Sequence, residues 1–367
     1  MKHMLGTIIM KLVRMISAAL FLSACQSTHP IHEKPLQPTA TTSVSSPADN
    51  KVFALTDNGI DLLKRNDVNR FIDFEVKRGQ YSRAQLENFF RQVSYRPSIV
   101  RGMDKPGTSL PWYTFVQNNA NNVRINTGNI FWKNNTGIIQ AVSKRYGVAP
   151  QLLVAIVGIE TNYGNTMGSY RVADALTTLG YHYPRRAEYF QRELSEFLQL
   201  AYEEKQDPLS FKGSFAGAMG MPQFMPSSFR QFAVDWDGDG YRDIWRNSGD
   251  TLASVANYMK QHGWQSGAPI AVPVNMQPTP RLQQIIDEPT SLKYTAGQLR
   301  QLGVIIPAQI KDQEKGILYR LERSPGEYDY WFGLNNFYTI WQYNHSRHYV
   351  AAVRQIANNL ADANANL

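Results

Sequence analysis

The sequence predicts a mainly α (α+β) protein, helical over most of its length, with one small α/β unit inserted towards the C-terminus. Two patterns carry that expectation. Apolar residues recur at helical spacing, in segments opened by proline, threonine or aspartate and closed by glycine, from Ala54 to Trp264 and again from Phe337 to Ala363. Between them, "APIAVPV" (Ala268–Val274) and "GILYRLERSPGEYDYWFGL" (Gly316–Leu334) show the alternation and turn residues of short strands. A chain of 367 residues has room for two or three domains and an ample core.

Residues 1–24 read as an export signal. "MKLVRMISAALFLSAC" has a basic start at Lys11 and Arg14, a short apolar run and small residues before Cys25. The apolar run is too short for a permanent membrane span. Met10 offers a cleaner start for such a signal than Met1. "LSAC" resembles a bacterial lipoprotein lipobox, which implies cleavage before Cys25 and lipidation of its thiol. Removal of Lys2, Lys11 and Arg14 lowers the formal charge from +8 to +5. That mild excess suits an anionic surface such as a cell wall, and no nucleic-acid partner is expected. Cys25 is the only cysteine, so disulfides within the body, a thiol nucleophile and a cysteine-bound metal are all excluded.

The remaining elements follow in order. Residues 25–50, rich in Pro, Ser and Thr, read as a flexible tether. Residues 51–150 read as a helical domain, with "LENFFRQV" (Leu86–Val93) clearly amphipathic and a helix from near Thr136 to Gly147. Residues 151–266 read as a helical core. It holds the short helix after Pro150, a long helix from Pro184 to Glu204, and one from Asp250, taken as its N-cap, to Gly263. Residues 267–334 form the α/β insertion, with a short helix in "TAGQLRQLGV". Residues 335–367 return to helix.

Within this frame "AIVGIETNYGN" (Ala155–Asn165) ends an apolar run with a carboxylate. Leu153, Ile156, Val157 and Glu160 fall at i, i+3, i+4 and i+7, so Glu160 sits on a buried stripe in the last turn of a helix, with Gly164 as the left-handed stop. Desolvation and the negative end of the helix dipole both raise its pKa, as a general acid requires. The competing reading is a glutamate paired with Arg171. "GSFAGAMGMPQFMPSSF" (Gly213–Phe229), flanked by Ser214 and Gln223, reads equally as a ligand-contacting backbone or a packing corner. "DWDGDGYRD" places Asp235, Asp237, Asp239 and Gly240 at positions 1, 3, 5 and 6 of an EF-hand-like loop, with Tyr241 offering its carbonyl. Arg246 occupies the usual glutamate position, and Asp250 is the replacement. The bland alternative is an Asp/Gly turn. Tyr181, Tyr183, Phe224, Tyr258, Trp264 and Tyr343 supply rings either for core packing or for sugar stacking.

"GIETNYGNTMGSYRVADALTTLGYHYPRRAEYF", "KGSFAGAMGMPQFMPSS", "DWDGDGYRDIW", "SVANYMKQHGW" and "YNHSRHY" together resemble the membrane-bound lytic murein transglycosylase B family, over about residues 55 to 360. The resemblance implies a lysozyme-like catalytic core flanked by an α domain and a small β-containing domain. It implies non-hydrolytic cleavage of the MurNAc–GlcNAc β-1,4 bond of peptidoglycan, leaving 1,6-anhydro-MurNAc ends. By motif match Glu160 is the catalytic acid/base. Ser214, Gln223, Phe224, Tyr258, Tyr343 and Asn344 bind sugar, with Arg185 and Arg186 at the substrate-binding end. One structural Ca²⁺ falls on Asp235, Asp237, Asp239, Tyr241 and Asp250. The family pattern departs at Asn162-Tyr163, where an Arg-Trp pair also occurs, and in a loop to Asp250 that is one residue longer. Gln26 after Cys25 implies a lipid anchor on the periplasmic face of the outer membrane of a Gram-negative host. A hydrolytic muramidase and a non-catalytic wall-binding lipoprotein are the competing functions.

Overall fold

The computed structural model describes residues 59–104 and 110–364. The signal, the tether and Cys25 lie outside the described residues. After a 3-10 turn at Gly59–Lys64 come α1 (Asn66–Arg78), α2 (Arg83–Gln92), α3 (Pro97–Met103), α4 (Trp112–Asn119), α5 (Asn122–Tyr146) and α6 (Pro150–Thr161). The short strand β1 (Tyr170–Arg171) leads into α7 (Val172–His182), the 3-10 turn Pro184–Arg186 and α8 (Ala187–Glu203). Then follow β2 (Lys212–Gly213), α9 (Pro226–Phe232) and α10 (Ser248–Gln261). The inserted unit holds β3 (Ala271–Val274), α11 (Pro280–Asp287), β4 (Tyr294–Thr295), α12 (Ala296–Gln301), β5 (Lys315–Ser324) and β6 (Glu327–Gly333). The chain closes with α13 (Asn335–Tyr343) and α14 (Arg347–Ala363).

The fold is organised around α6. Every residue from Leu152 to Thr161 is buried, so the helix is enclosed on all sides and the single stripe read from the sequence is a full apolar cylinder. Helices α5, α10 and α14 pack around it, while α7 and α8 pair beside it with α9 against α8. One hydrophobic core runs continuously from Leu62 to Leu360, so the helices before residue 151 share the core of those after it. A second, smaller core is drawn from residues 272–334. It lies on an antiparallel sheet of order β3-β6-β5-β4.

Several local expectations change. The helix foreseen near Thr136 begins at Asn122, capped by the Asn121 side chain, and only Asn135 leaves helical geometry, as a kink. The α10 cap is Asn247, whose side chain accepts the Gly249 and Asp250 N–H groups, so Asp250 stands inside the first turn. The final helix is broken at Asn344–Ser346, and Ser346 caps α14. Helix α11 was not foreseen. Thr279 caps it and Pro280 opens it, and that start signal is visible in "TPRLQQII".

Candidate active site

Glu160 ends α6 at a point where three consecutive residues, Asn162, Tyr163 and Gly164, take left-handed backbone conformations (φ 49°, 59° and 87°). The left-handed turn therefore starts at Asn162, two residues before the glycine read as the stop. Positive φ is costly for asparagine and more so for tyrosine. Tyr163 is accommodated because its ring fills a slot between Gly128 on α5 and Gly158 on α6, where a β-carbon on either would collide with its hydroxyl. Gln223 is also left-handed (φ 53°) and faces the same cleft.

The cleft is lined by Glu160 together with Arg186, Gln223, Phe224, Tyr258, Tyr343 and Asn344, all seven foreseen from the sequence. Among the described residues that line it, Glu160 is the only carboxylate. Its side chain is 4% exposed. Burial pushes its pKa up to about 8, against the opposing pull of a hydrogen bond from Tyr349 and the positive charge of Arg124. The Tyr349 hydroxyl donates to Glu160 Oε1 at 2.6 Å. Burial and the neighbouring carboxylate hold the Tyr349 phenol well above its ordinary range, so it stays a neutral donor. Arg171, the alternative partner for Glu160, instead binds Asp174. Asp174 is not on the surface. It sits buried in the first turn of α7 and also accepts from Ser94 N–H and the Arg96 guanidinium.

The aromatic wall is tightly built. Tyr258 meets Tyr343 edge-on at 4.7 Å, and Phe224 lies 6.0 Å from each. Tyr343 donates to Pro222 O at 2.6 Å and Tyr258 to Gln342 O at 2.8 Å, which fixes both rings. Gln223 spends its amide N–H groups on Met167 O and Gly220 O. Asn344 is 2% exposed, and its Oδ1 has no hydrogen-bond partner. Arg186 lies over the Tyr189 ring at 4.4 Å. Arg185 points away and is 78% exposed, 3.7 Å from Asp104. Ser214 sits under a turn whose residues Ala216 and Ala218 form the wall. Its hydroxyl accepts both their N–H groups, at 3.2 and 3.0 Å. Glu193 on α8 accepts the Ser227 N–H and hydroxyl, pinning the start of α9, which contributes Met225 and Ser228 to the lining.

Residues 64–358 match the family model described as the transglycosylase SLT domain. The chain is 37% identical over 363 residues to membrane-bound lytic murein transglycosylase B of Escherichia coli, covering 95% of this chain and 97% of that one. The chain belongs to the transglycosylase SLT-domain family. Its fold is the lysozyme-like one of the family's solved members. The soluble lytic transglycosylase SltB1 of Pseudomonas aeruginosa superposes with TM-score 0.77 at 39% identity, over 82% of this chain and 99% of that one. The Escherichia coli lytic transglycosylase SLT35, solved in complex with calcium, superposes with TM-score 0.75 at 38% identity, over 87% and 100%.

In this lytic transglycosylase the acidic loop lies between α9 and α10. Carboxylate oxygens of Asp235, Asp237 and Asp250 come within 4.8 Å of one another. Asp250 is fully buried and accepts the N–H groups of Trp236 and Asp243, and burial beside the other two acids raises its pKa to about 6. A cluster of this kind fits a hard cation with oxygen ligands. Asp239 stands outside the trio, exposed, and accepts the Tyr241 N–H. The Tyr241 ring is exposed.

Two residues beside Glu160 were not singled out from the sequence. Tyr349 lies in "YNHSRHY", but nothing local says that α14 crosses the end of α6. Its place in the buried stripe Tyr349, Val353, Ile356, Leu360 was the available signal. Arg124, half-buried on α5, carried none.

Proposed function

We propose that Glu160 of this lytic murein transglycosylase is both acid and base in a non-hydrolytic cleavage of the MurNAc–GlcNAc β-1,4 bond. The observation that carries the reading is a cleft with one carboxylate, held protonated near neutral pH. A conventional glycosidase needs two. Protonated Glu160 gives its proton to the glycosidic oxygen as the C1–O bond breaks. The carbonyl oxygen of the sugar's own N-acetyl group bonds to C1 and takes up the developing charge. The glutamate, now ionised, removes the proton of the 6-hydroxyl, whose oxygen displaces the N-acetyl oxygen at C1 and closes the 1,6-anhydro ring. No water is consumed. The free Asn344 Oδ1 suits the N-acetyl N–H, and Ser214 and Gln223 shape the wall beside it. Phe224, Tyr258 and Tyr343 offer faces for sugar stacking, with Arg186, and Arg185 beyond it, towards anionic groups of the substrate.

One Ca²⁺ at Asp235, Asp237 and Asp250, with Asp239 and the Tyr241 carbonyl as further oxygens of the loop, would neutralise the clustered charge and tie the loop to α10. Support comes from the convergence of the three acids and from the calcium complex of SLT35. A lipid on Cys25 would hold the enzyme at the periplasmic face of the outer membrane. The support is the lipobox and the membrane-bound relative, and no described helix is long and apolar enough to cross a membrane.

Digestion of purified sacculi with mass analysis of the released muropeptides tests the chemistry. Anhydro ends, one water lighter than reducing ends, are expected. Reducing ends alone would make the protein a muramidase.

A further inference from the structure

A second concavity lies in the inserted unit and shares no residue with the cleft. Its origin is a mismatch of strand lengths. Strand β6 has seven residues and β3 only four. Their pairing runs from Ala271 opposite Gly333 to Val274 opposite Tyr330 and stops there. The chain then peels away, and Asn275 pairs instead with Ile305. Tyr328 and Asp329 therefore have β5 on one side, at Glu322 and Leu321, and, among the described residues, no paired strand on the other. In an antiparallel pair neighbouring residues turn their backbone groups to opposite sides. One of these two thus presents its N–H and C=O into the notch between β6 and residues 275–279.

The notch has a volume of about 930 Å³. Its chemistry is specific. Of the eight large apolar side chains exposed among the described residues, Leu302, Ile305 and Tyr328 converge on it. An arginine lies over each of two rings in its wall, Arg320 over Tyr328 at 4.8 Å and Arg354 over Trp331 at 3.9 Å. Opposite them Asn275, Gln277 and Thr279, all exposed, recur at every second residue. No lysine or arginine lines the notch, and its one charged residue, Asp329, is 3.7 Å from Arg323.

We propose that this notch is a second glycan-binding site, taking a neutral N-acetylhexosamine through ring stacking, amide side chains and one backbone N–H/C=O pair. With no lysine or arginine among its lining residues, and the nearest arginines set over its rings or beside Asp329, the notch favours a neutral occupant over an acidic peptide or a phosphate. Fixed aromatic faces beside amide and hydroxyl groups fit a pyranose with its N-acetyl group. That the sugar belongs to murein rests on the function proposed above. A strand held here while another lies in the cleft would raise the local concentration of substrate, because the second contact becomes intramolecular.

The test is calorimetric binding of a GlcNAc tetramer to the full chain carrying Glu160→Gln, which binds without cutting. Two sites are expected. Adding Tyr328→Ala and Gln277→Ala should leave one, with affinity for intact sacculi lowered roughly tenfold. Both changes in an otherwise unaltered enzyme should leave turnover of a short soluble muropeptide unchanged. If the Tyr328 variant fails to fold, Asn275→Ala with Gln277→Ala alters only exposed side chains and replaces it. A single tetramer site before and after the changes overturns the proposal. So does a second site that survives them, or one that takes free stem peptide and not the tetramer. Because no cleavage is involved, this outcome is independent of the product masses.

Discussion

Glu160 and Asp174 are withdrawn from water to nearly the same degree, at 4% and 1% exposure, yet their surroundings are opposite. Asp174 receives the Ser94 N–H and the guanidinium groups of Arg96 and Arg171, the shortest at 2.7 Å. Its charge is compensated on every side, and it fastens the α2–α3 connection to α7. Glu160 receives one phenol and only the more distant charge of Arg124. Burial alone therefore does not make an acid catalyst. A buried carboxylate keeps its proton when charged donors are withheld.

The largest consequence falls on Glu160→Gln. Turnover of sacculi should drop by at least ~10²-fold, the scale of general acid–base catalysis. Stability should move the other way. The folded pKa, about 8, lies above the ordinary 4.5, so the unfolded chain releases its proton first as pH rises. The penalty is absent below the unfolded value, grows above it, and is complete only past pH 8. Glutamine escapes it. The variant and the parent should melt together near pH 4, whereas at pH 7 the variant should be more stable by on the order of 3 kcal/mol. A variant that is inactive and also less stable at pH 7 would mean that Glu160 is ionised in the resting enzyme.

Asp250 is a third buried carboxylate and an intermediate case, with backbone donors but no charged side chain. The expected partner is the cation. Calcium at a hundred times its dissociation constant should add about 2.7 kcal/mol to the metal-stripped protein by mass action, read as a rise in Tm. Asp237→Ala should abolish that rise. A melting curve indifferent to both calcium and EGTA would leave the loop an ordinary Asp/Gly turn.

Asp174→Asn should cost about 2 kcal/mol, since it weakens charge-assisted hydrogen bonds in a buried position. The folded fraction should turn over sacculi within a few-fold of the parent. If it is as inactive as Glu160→Gln while folded, a two-carboxylate mechanism is the better account.

The comparison also shows what a sequence can carry. The apolar run before Glu160 fixed its helix and its burial, whereas the glycines and prolines around residues 213–226 read equally as a cleft wall or a packing corner until the turn at Ala216 and Ala218 is seen lining the cleft. The role of Asp174 was not legible, because its position near a helix start is local information, whereas Arg96 and Ser94 lie some eighty residues away. Tyr349 is 189 residues from Glu160, and only the packing of α14 on α6 brings them together. Arg185 and Arg186, adjacent in sequence, part company because the 3-10 turn sends one into the cleft and the other into solvent.

The smallest expected effect is the most discriminating. Tyr349→Phe removes the one hydrogen bond that favours ionised Glu160 and leaves the ring in place. The other group acting on Glu160 is Arg124 on α5, whose charge also favours ionisation. With the bond gone, desolvation is opposed by Arg124 alone, so the folded pKa rises further. Because the first step needs the protonated acid, kcat/KM should decline on the alkaline side near pH 8 in the parent and at higher pH in the variant. At neutral pH the rate should change less than roughly tenfold, since Tyr349 itself transfers no proton in the proposed mechanism. An alkaline limb that stays put or moves down would mean that the titrating group is not Glu160, and the contrast with Asp174 would lose its chemical meaning.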